Sequence, residues 1–184
     1  MVIIDRRIIT GLFLLLFMAT QSYAIGGTKS PKLHNTSVSR TMSKASEYVD
    51  QYKEAAMEQM RRYGIPASIT LAQGILESGS GQSELSRKGN NHFGIKATSS
   101  WLENGGSYLV YADDKPNEKF CQYASVADSY EHHSLFLKSN KRYSELFKLP
   151  PDDYVGWTKG LQAAGYATDN RYAASLQAVI RSHG

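Results

Sequence analysis

Ala72-Gln73-Gly74-Ile75-Leu76-Glu77-Ser78-Gly79-Ser80-Gly81 is the stretch from which the rest of the chain can be read. Upstream of it, Pro66 suits the first turn of a helix, where a missing N–H costs nothing. Ile69, Ala72, Ile75 and Leu76 then recur at helical spacing and predict one buried face. The Ser-Gly-Ser-Gly run from Ser78 is too rich in glycine and serine to continue that helix. Glu77 is therefore expected in the last turn, delivered to a loop junction behind Ile75 and Leu76. Apolar walls there would disfavour its charged form, and a carboxylic acid that keeps its proton near neutral pH can act as a general acid. Spacing alone equally allows an ordinary solvated glutamate.

Working outward, Ala45, Tyr48, Val49, Tyr52, Ala56 and Tyr63 predict a preceding amphipathic helix that stops at Gly64. Downstream, residues 107–111 and 118–123 read as two strands joined by Asp113-Asp114-Lys115-Pro116-Asn117, a hairpin with a long turn. Ser125 with Asp128 three residues on is a capping signature, and Val126, Tyr130, His133 and Leu137 continue a helical face. Pro150-Pro151-Asp152-Asp153 breaks the chain before a helix bearing Tyr154, Trp157 and Leu161. Asp169 or Asn170 can cap a terminal helix with Tyr172, Leu176, Val179 and Ile180 inward. The expectation is an α+β, mainly α domain of five to six helices with one β-hairpin.

The chain has 184 residues, 41% hydrophobic and 21% charged, which fits one globular domain and excludes a two-domain enzyme. Its net charge of +4 favours polyanionic surfaces without naming one. A single cysteine, Cys121, excludes an intramolecular disulfide framework and a cysteine-based zinc cluster, and is read as a buried thiol. Arg6 and Arg7 precede an apolar run over 8–19, too short to span a bilayer, followed by Ser22-Tyr23-Ala24: the pattern of a secretory signal peptide over 1–24. Residues 25–44 carry Lys29, Lys32, Arg40 and Lys44 with no acidic partner and read as a flexible basic tail, leaving 45–184 as the folded domain. His34, His92, His132, His133 and His183 show no H-E-x-x-H spacing, and neither a nucleophile elbow nor a phosphate loop is found, so no metal or cofactor is expected.

The opening stretch resembles the helix-end motif of lysozyme-like peptidoglycan hydrolases. Asn90-Asn91-His92-Phe93-Gly94-Ile95-Lys96 resembles the N-N-x-F-G-I-K motif of glycoside hydrolase family 73, the endo-β-N-acetylglucosaminidases of bacterial autolysins and of the flagellar muramidase-like domain. Gly165-Tyr166-Ala167-Thr168-Asp169 resembles that family's G-Y-A-T-D motif. Three motifs in order cover roughly 45–183. The resemblance implies a lysozyme-like helical domain with a small β-hairpin lobe beside the active-site cleft.

It also implies that Glu77 is the general acid protonating the glycosidic oxygen, and that Tyr166 lies beside it, on substrate or steadying the oxocarbenium-like transition state. Asn91 and Phe93, with Asn90, would shape or line the substrate cleft, and Gly94 would supply an unusual backbone conformation. Trp101 is nominated as a sugar-stacking platform. The family places a second carboxylate on the hairpin, where Asp113, Asp114 and Glu118 are candidates; Asp114 is chosen because it enters the turn just beyond the first strand. An N-acetylated substrate could instead assist its own departure, with that carboxylate only orienting it. Two departures stand out. Many relatives carry Phe-Arg-x-Tyr after the hairpin where this chain has Phe120-Cys121-Gln122-Tyr123, and Asn170 stands where a proline commonly follows Y-A-T-D.

The implied activity is hydrolysis of β-1,4 bonds of peptidoglycan at N-acetylglucosamine, by an exported protein of the periplasm, envelope or exterior. A muramidase, a lytic transglycosylase or a wall-binding protein without turnover are the alternatives. The expected partner is the glycan strand, with no nucleic acid, no membrane anchor once the signal is removed, and a monomeric chain.

Overall fold

A computed structural model describes residues 42–113 and 115–183. The expected signal peptide, the expected basic tail as far as residue 41, Asp114 and Gly184 lie outside the described residues. Helix α1 (Lys44–Tyr63) opens where the Ser43 side chain accepts the Ser46 N–H and closes on Gly64 at φ 77°. Helix α2 (Ala67–Ser78) begins one residue later than expected, with Pro66 at the capping position. Two short helices, α3 (Glu84–Gly89) and α4 (Ser99–Glu103), follow. They escape a periodicity reading because neither is long enough to show a stripe; side-chain caps from Ser83 and Thr98 start them.

Strands β1 (Tyr108–Tyr111) and β2 (Glu118–Cys121) form the expected antiparallel hairpin, with Tyr108 opposite Cys121 and Tyr111 opposite Glu118. The 90–97 loop adds to its edge through a bridge between Lys96 and Phe120. Helix α5 (Val126–Ser139) starts with a full capping box, the Ser125 hydroxyl on the Asp128 N–H and the Asp128 carboxylate on the Ser125 N–H. A 3-10 helix (Lys141–Lys148), which the sequence reading missed, leads to α6 (Tyr154–Ala163) and α7 (Tyr172–His183). The architecture is thus mainly helical with one two-stranded sheet, as expected, but with more helices among the described residues than the five to six foreseen.

Two apolar clusters hold these elements. The larger joins α2, α5, the 3-10 helix, α6 and α7 around Ile69, Leu137, Trp157, Leu161, Tyr172 and Leu176. Each fully buried aliphatic side chain there contributes about 1.5–3 kcal/mol. The smaller cluster, with Phe93, Ile95, Cys121, Tyr123 and Tyr130, lies under the hairpin and its supporting loop. Helix α2 packs on α1 and α7, so its C-terminal end, with Glu77, is fixed from two sides. Among the described residues no helix is long and apolar enough to cross a membrane.

Candidate active site

Glu77 occupies the last turn of α2, half-buried, as the sequence predicts. The turn that ends the helix is built by its neighbour: the buried Ser78 hydroxyl donates to the Gly74 carbonyl at 2.5 Å and accepts the Gly81 N–H at 2.7 Å. Gly79, Ser80 and Gly81 all adopt positive φ, at 58°, 58° and 75°. Three successive left-handed residues turn the chain away sharply, a course that glycine permits cheaply.

Inside α2, Gly74 is required for a different reason. A Cβ there would lie 2.3 Å from the Tyr48 Oη. That hydroxyl cannot easily yield, because it is bonded to His92 Nδ1 at 2.8 Å and receives the Tyr130 hydroxyl at 2.9 Å. Helix α2, α1, α5 and the 90–97 loop therefore meet at one buried polar knot. Burial drives the Tyr48 hydroxyl pKa upward and lowers that of His92 to about 4, so both are neutral at physiological pH.

The residue that grips Glu77 was not singled out by sequence. Tyr172, at the start of α7 and fully buried, donates its hydroxyl to Glu77 Oε1 at 2.8 Å and accepts Gln73 Nε2 at 3.1 Å. Its pKa is held well above the tyrosine range, first by burial and then by the Glu77 charge. The hydroxyl consequently remains a proton-bearing donor. Sequence placed Tyr172 on the inward face of α7; that a core tyrosine also reaches the helix-end glutamate depends on how α7 crosses α2.

Tyr166 takes a supporting place. It is 2% exposed, belongs to the larger core, and its ring stacks on Tyr172 at 5.5 Å and 13°. Tyr166 thereby packs on the tyrosine that contacts Glu77. Asn91 and Phe93 are buried as well, 1% and 0% exposed. Asn91 clasps the loop, its Nδ2 donating to the Ile95 and Cys121 carbonyls, both at 2.9 Å, and its Oδ1 accepting the Ile95 N–H at 3.1 Å. Phe93 stacks on His133 at 4.0 Å, and Gly94 has the left-handed φ of 64° expected of it. Trp101 is half-buried, with one face stacked on His132 and its N–H given to the Ser107 carbonyl. These two contacts fix the orientation of the indole.

On the hairpin side, Lys96 joins two of the three candidate carboxylates. Its Nζ lies 3.1 Å from Asp113 Oδ2 and 2.9 Å from Glu118 Oε1. Sequence had treated Lys96 only as the last letter of a loop motif. Cys121 faces the smaller apolar cluster and is fully buried, and its thiol pKa is raised to about 11 by that burial. Beside Lys96 lies a cavity of about 270 Å³, also lined by Ile95, Thr98, His132, Phe136, Asn140 and Arg142. Phe136 edges the Tyr166 ring, which connects this cavity to the support of Glu77. A smaller, apolar groove of about 230 Å³ between α1, α2 and α7 carries no acidic group. Among the described residues, no three His, Cys, Asp or Glu side chains are grouped to share a metal ion.

Comparison with known proteins fits this arrangement. The exo-glucosaminidase LytG of Bacillus subtilis is 26% identical over 97% of this chain and 65% of its own length. The peptidoglycan hydrolase FlgJ of Salmonella typhimurium is 30% identical over 82% of this chain and 50% of its own. The chain thus spans less than two thirds of these curated relatives. Among solved structures, the catalytic domain of the Listeria monocytogenes autolysin Auto superposes with a TM-score of 0.66 at 28% identity, over 80% of this chain and 88% of that one. The glycoside hydrolase domain of Salmonella typhimurium FlgJ gives 0.62 at 29% identity, over 77% and 88%. The profile of the glucosaminidase family, described as mannosyl-glycoprotein endo-beta-N-acetylglucosaminidase, matches residues 53–184. With most of the folded chain inside that match, the protein belongs to the glucosaminidase family of glycoside hydrolases.

Proposed function

We propose that this protein is an exported peptidoglycan hydrolase that cleaves β-1,4 bonds at N-acetylglucosamine, with Glu77 as general acid. The observation that carries the reading is the Glu77 carboxyl at the end of α2, held on one oxygen by the buried Tyr172 hydroxyl. A carboxyl so oriented can give its proton to the glycosidic oxygen as the bond from the anomeric carbon to that oxygen breaks. The aglycone leaves as an alcohol, and water supplies the hydroxyl of the new reducing end. The hairpin turn provides the second carboxylate, with Asp114 the choice among Asp113, Asp114 and Glu118. The positive net charge suits adhesion to acidic wall polymers.

Mass spectrometry of purified peptidoglycan digested by the protein tests this reading. Fragments ending in reducing N-acetylglucosamine are expected, and Glu77→Gln should slow their release by about 10²–10⁴-fold. Anhydro-muramic ends would assign the chain to transglycosylation instead. Undiminished digestion by the Glu77→Gln protein would reject the proposed acid.

A further inference from the structure

We propose that Lys96 is a positioning residue for this hydrolysis, an ammonium that fixes the carboxylate-bearing turn of the hairpin as one wall of the cleft. The inference rests on the reading of the protein as a glycosidase and adds a residue to it. Asp113 stands at the entry of the 113–118 turn and Glu118 at its exit, and both carboxylates meet one Nζ, at 3.1 and 2.9 Å. One side chain thereby cross-links the two ends of the turn that also carries Asp114. The Lys96, Asp113 and Glu118 side chains are only 17%, 2% and 19% exposed. The ion pairs on α1, such as Lys44 with Glu47, are far more exposed, and pairs of that kind contribute little.

The backbone beneath Lys96 is equally constrained. Ala97 N–H donates to the Lys119 carbonyl at 2.8 Å and Cys121 N–H to the Ile95 carbonyl at 2.9 Å, so Lys96 is stitched to β2 on both sides. Asn91 locks the loop from within. The ammonium also lies 5.8 Å from the Phe120 ring centroid. Toward the helices, Lys96 shares the 270 Å³ cavity with Phe136, whose ring meets Tyr166, which stacks on the tyrosine bonded to Glu77. Lys96 thus lines one cavity together with the residue whose ring edges Tyr166.

The test uses the full chain acting on soluble, purified glycan fragments, with kcat, KM and Tm measured for Lys96→Met, Lys96→Arg and the double variant Lys96→Met/Glu118→Gln. Lys96→Met should lower kcat ten- to a hundredfold with KM changed by less than about twofold, as expected when a reacting group is misplaced by about 1 Å. Lys96→Arg should retain most of kcat, because a guanidinium can span both carboxylates. The double variant, relieved of one unbalanced charge, should regain Tm without regaining kcat. If kcat merely follows Tm through all three variants, if Lys96→Met is as active as the parent, or if only KM moves, the proposal is overturned. Glu77→Gln runs alongside: an active Lys96→Met beside an inactive Glu77→Gln rejects Lys96 alone, whereas an inactive parent protein rejects the hydrolase reading itself and this proposal with it.

Discussion

The Tyr172 hydroxyl donates to Glu77 Oε1 across 2.8 Å, joining the first turn of α7 to the last turn of α2 over 95 residues of sequence. Gln73, one turn before Glu77 on the same helix, donates to that hydroxyl in its turn. The Glu77 carboxyl is therefore held by a relay whose two supports come from different helices. Removing the hydroxyl takes away this hold while leaving the ring stack on Tyr166. Tyr172→Phe should lower kcat on glycan fragments by roughly 10-fold or more, the worth of a hydrogen bond to a charged group. Thermal unfolding checks that the ring keeps the core intact. An unaltered rate would show that Glu77 needs no such support.

Gly74→Ala should be destabilising even though alanine is the better helix former. The gain in helix propensity is about 1 kcal/mol. Against it stands a Cβ placed 2.3 Å from a hydroxyl bonded to both His92 and Tyr130, an overpacking that costs about 1–3 kcal/mol. Denaturant titration of the variant should give a lower midpoint. Combining it with Tyr48→Phe, which deletes the clashing atom, should recover part of the loss.

Asn91→Ala separates a loop clasp from a sugar contact. Three hydrogen bonds vanish and two carbonyls and one N–H lose a partner within a buried loop. A loss of about 2–4 kcal/mol of stability is expected from breaking such a network. The KM of the folded fraction for glycan should stay close to that of the parent, and a selective rise in KM with unchanged stability would place Asn91 on the binding surface.

Acid should weaken the fold through two histidines. Burial lowers the pKa of His92 to about 4 and that of His133 to about 3, from an ordinary value near 6.5. In that interval the unfolded chain binds protons that the folded chain refuses. Stability is therefore complete above about pH 6.5 and falls as pH drops toward 4, by roughly 1 kcal/mol per pH unit for each such group. His133 is stacked on Phe93, and neither of its ring nitrogens has a hydrogen-bond partner. His133→Phe should keep the stack and flatten the acid limb of a Tm-against-pH curve; an unchanged slope would assign the acid sensitivity elsewhere.

Cys121 should be silent in the native protein. With no exposed surface and a thiol pKa raised to about 11, it offers little thiolate at pH 8. A chromogenic disulfide reagent should detect no thiol until denaturant is added. Cys121→Arg should destabilise the fold by forcing a guanidinium into the smaller apolar cluster.

Local physics made much of this protein readable from its sequence. Periodicity located α1, α2, α5, α6 and α7 because each is long enough to present a stripe, and Ser125 with Asp128 announced the start of α5 because a capping box is a contact three residues apart. Glu77 was placed at its helix end by the same kind of short-range information, with Ser78 to Gly81 forbidding another turn. Motif resemblance then drew attention to the loops around them. What it could not show was which side chains meet there: Tyr166 and Asn91 are buried, while Tyr172 and Lys96 contact carboxyl groups. Those contacts form only after helices cross and a loop lies along a hairpin edge. A hydrogen bond across 95 residues and an ion pair between a loop and a turn leave no local periodicity, since their energy exists only once the chain has brought them together.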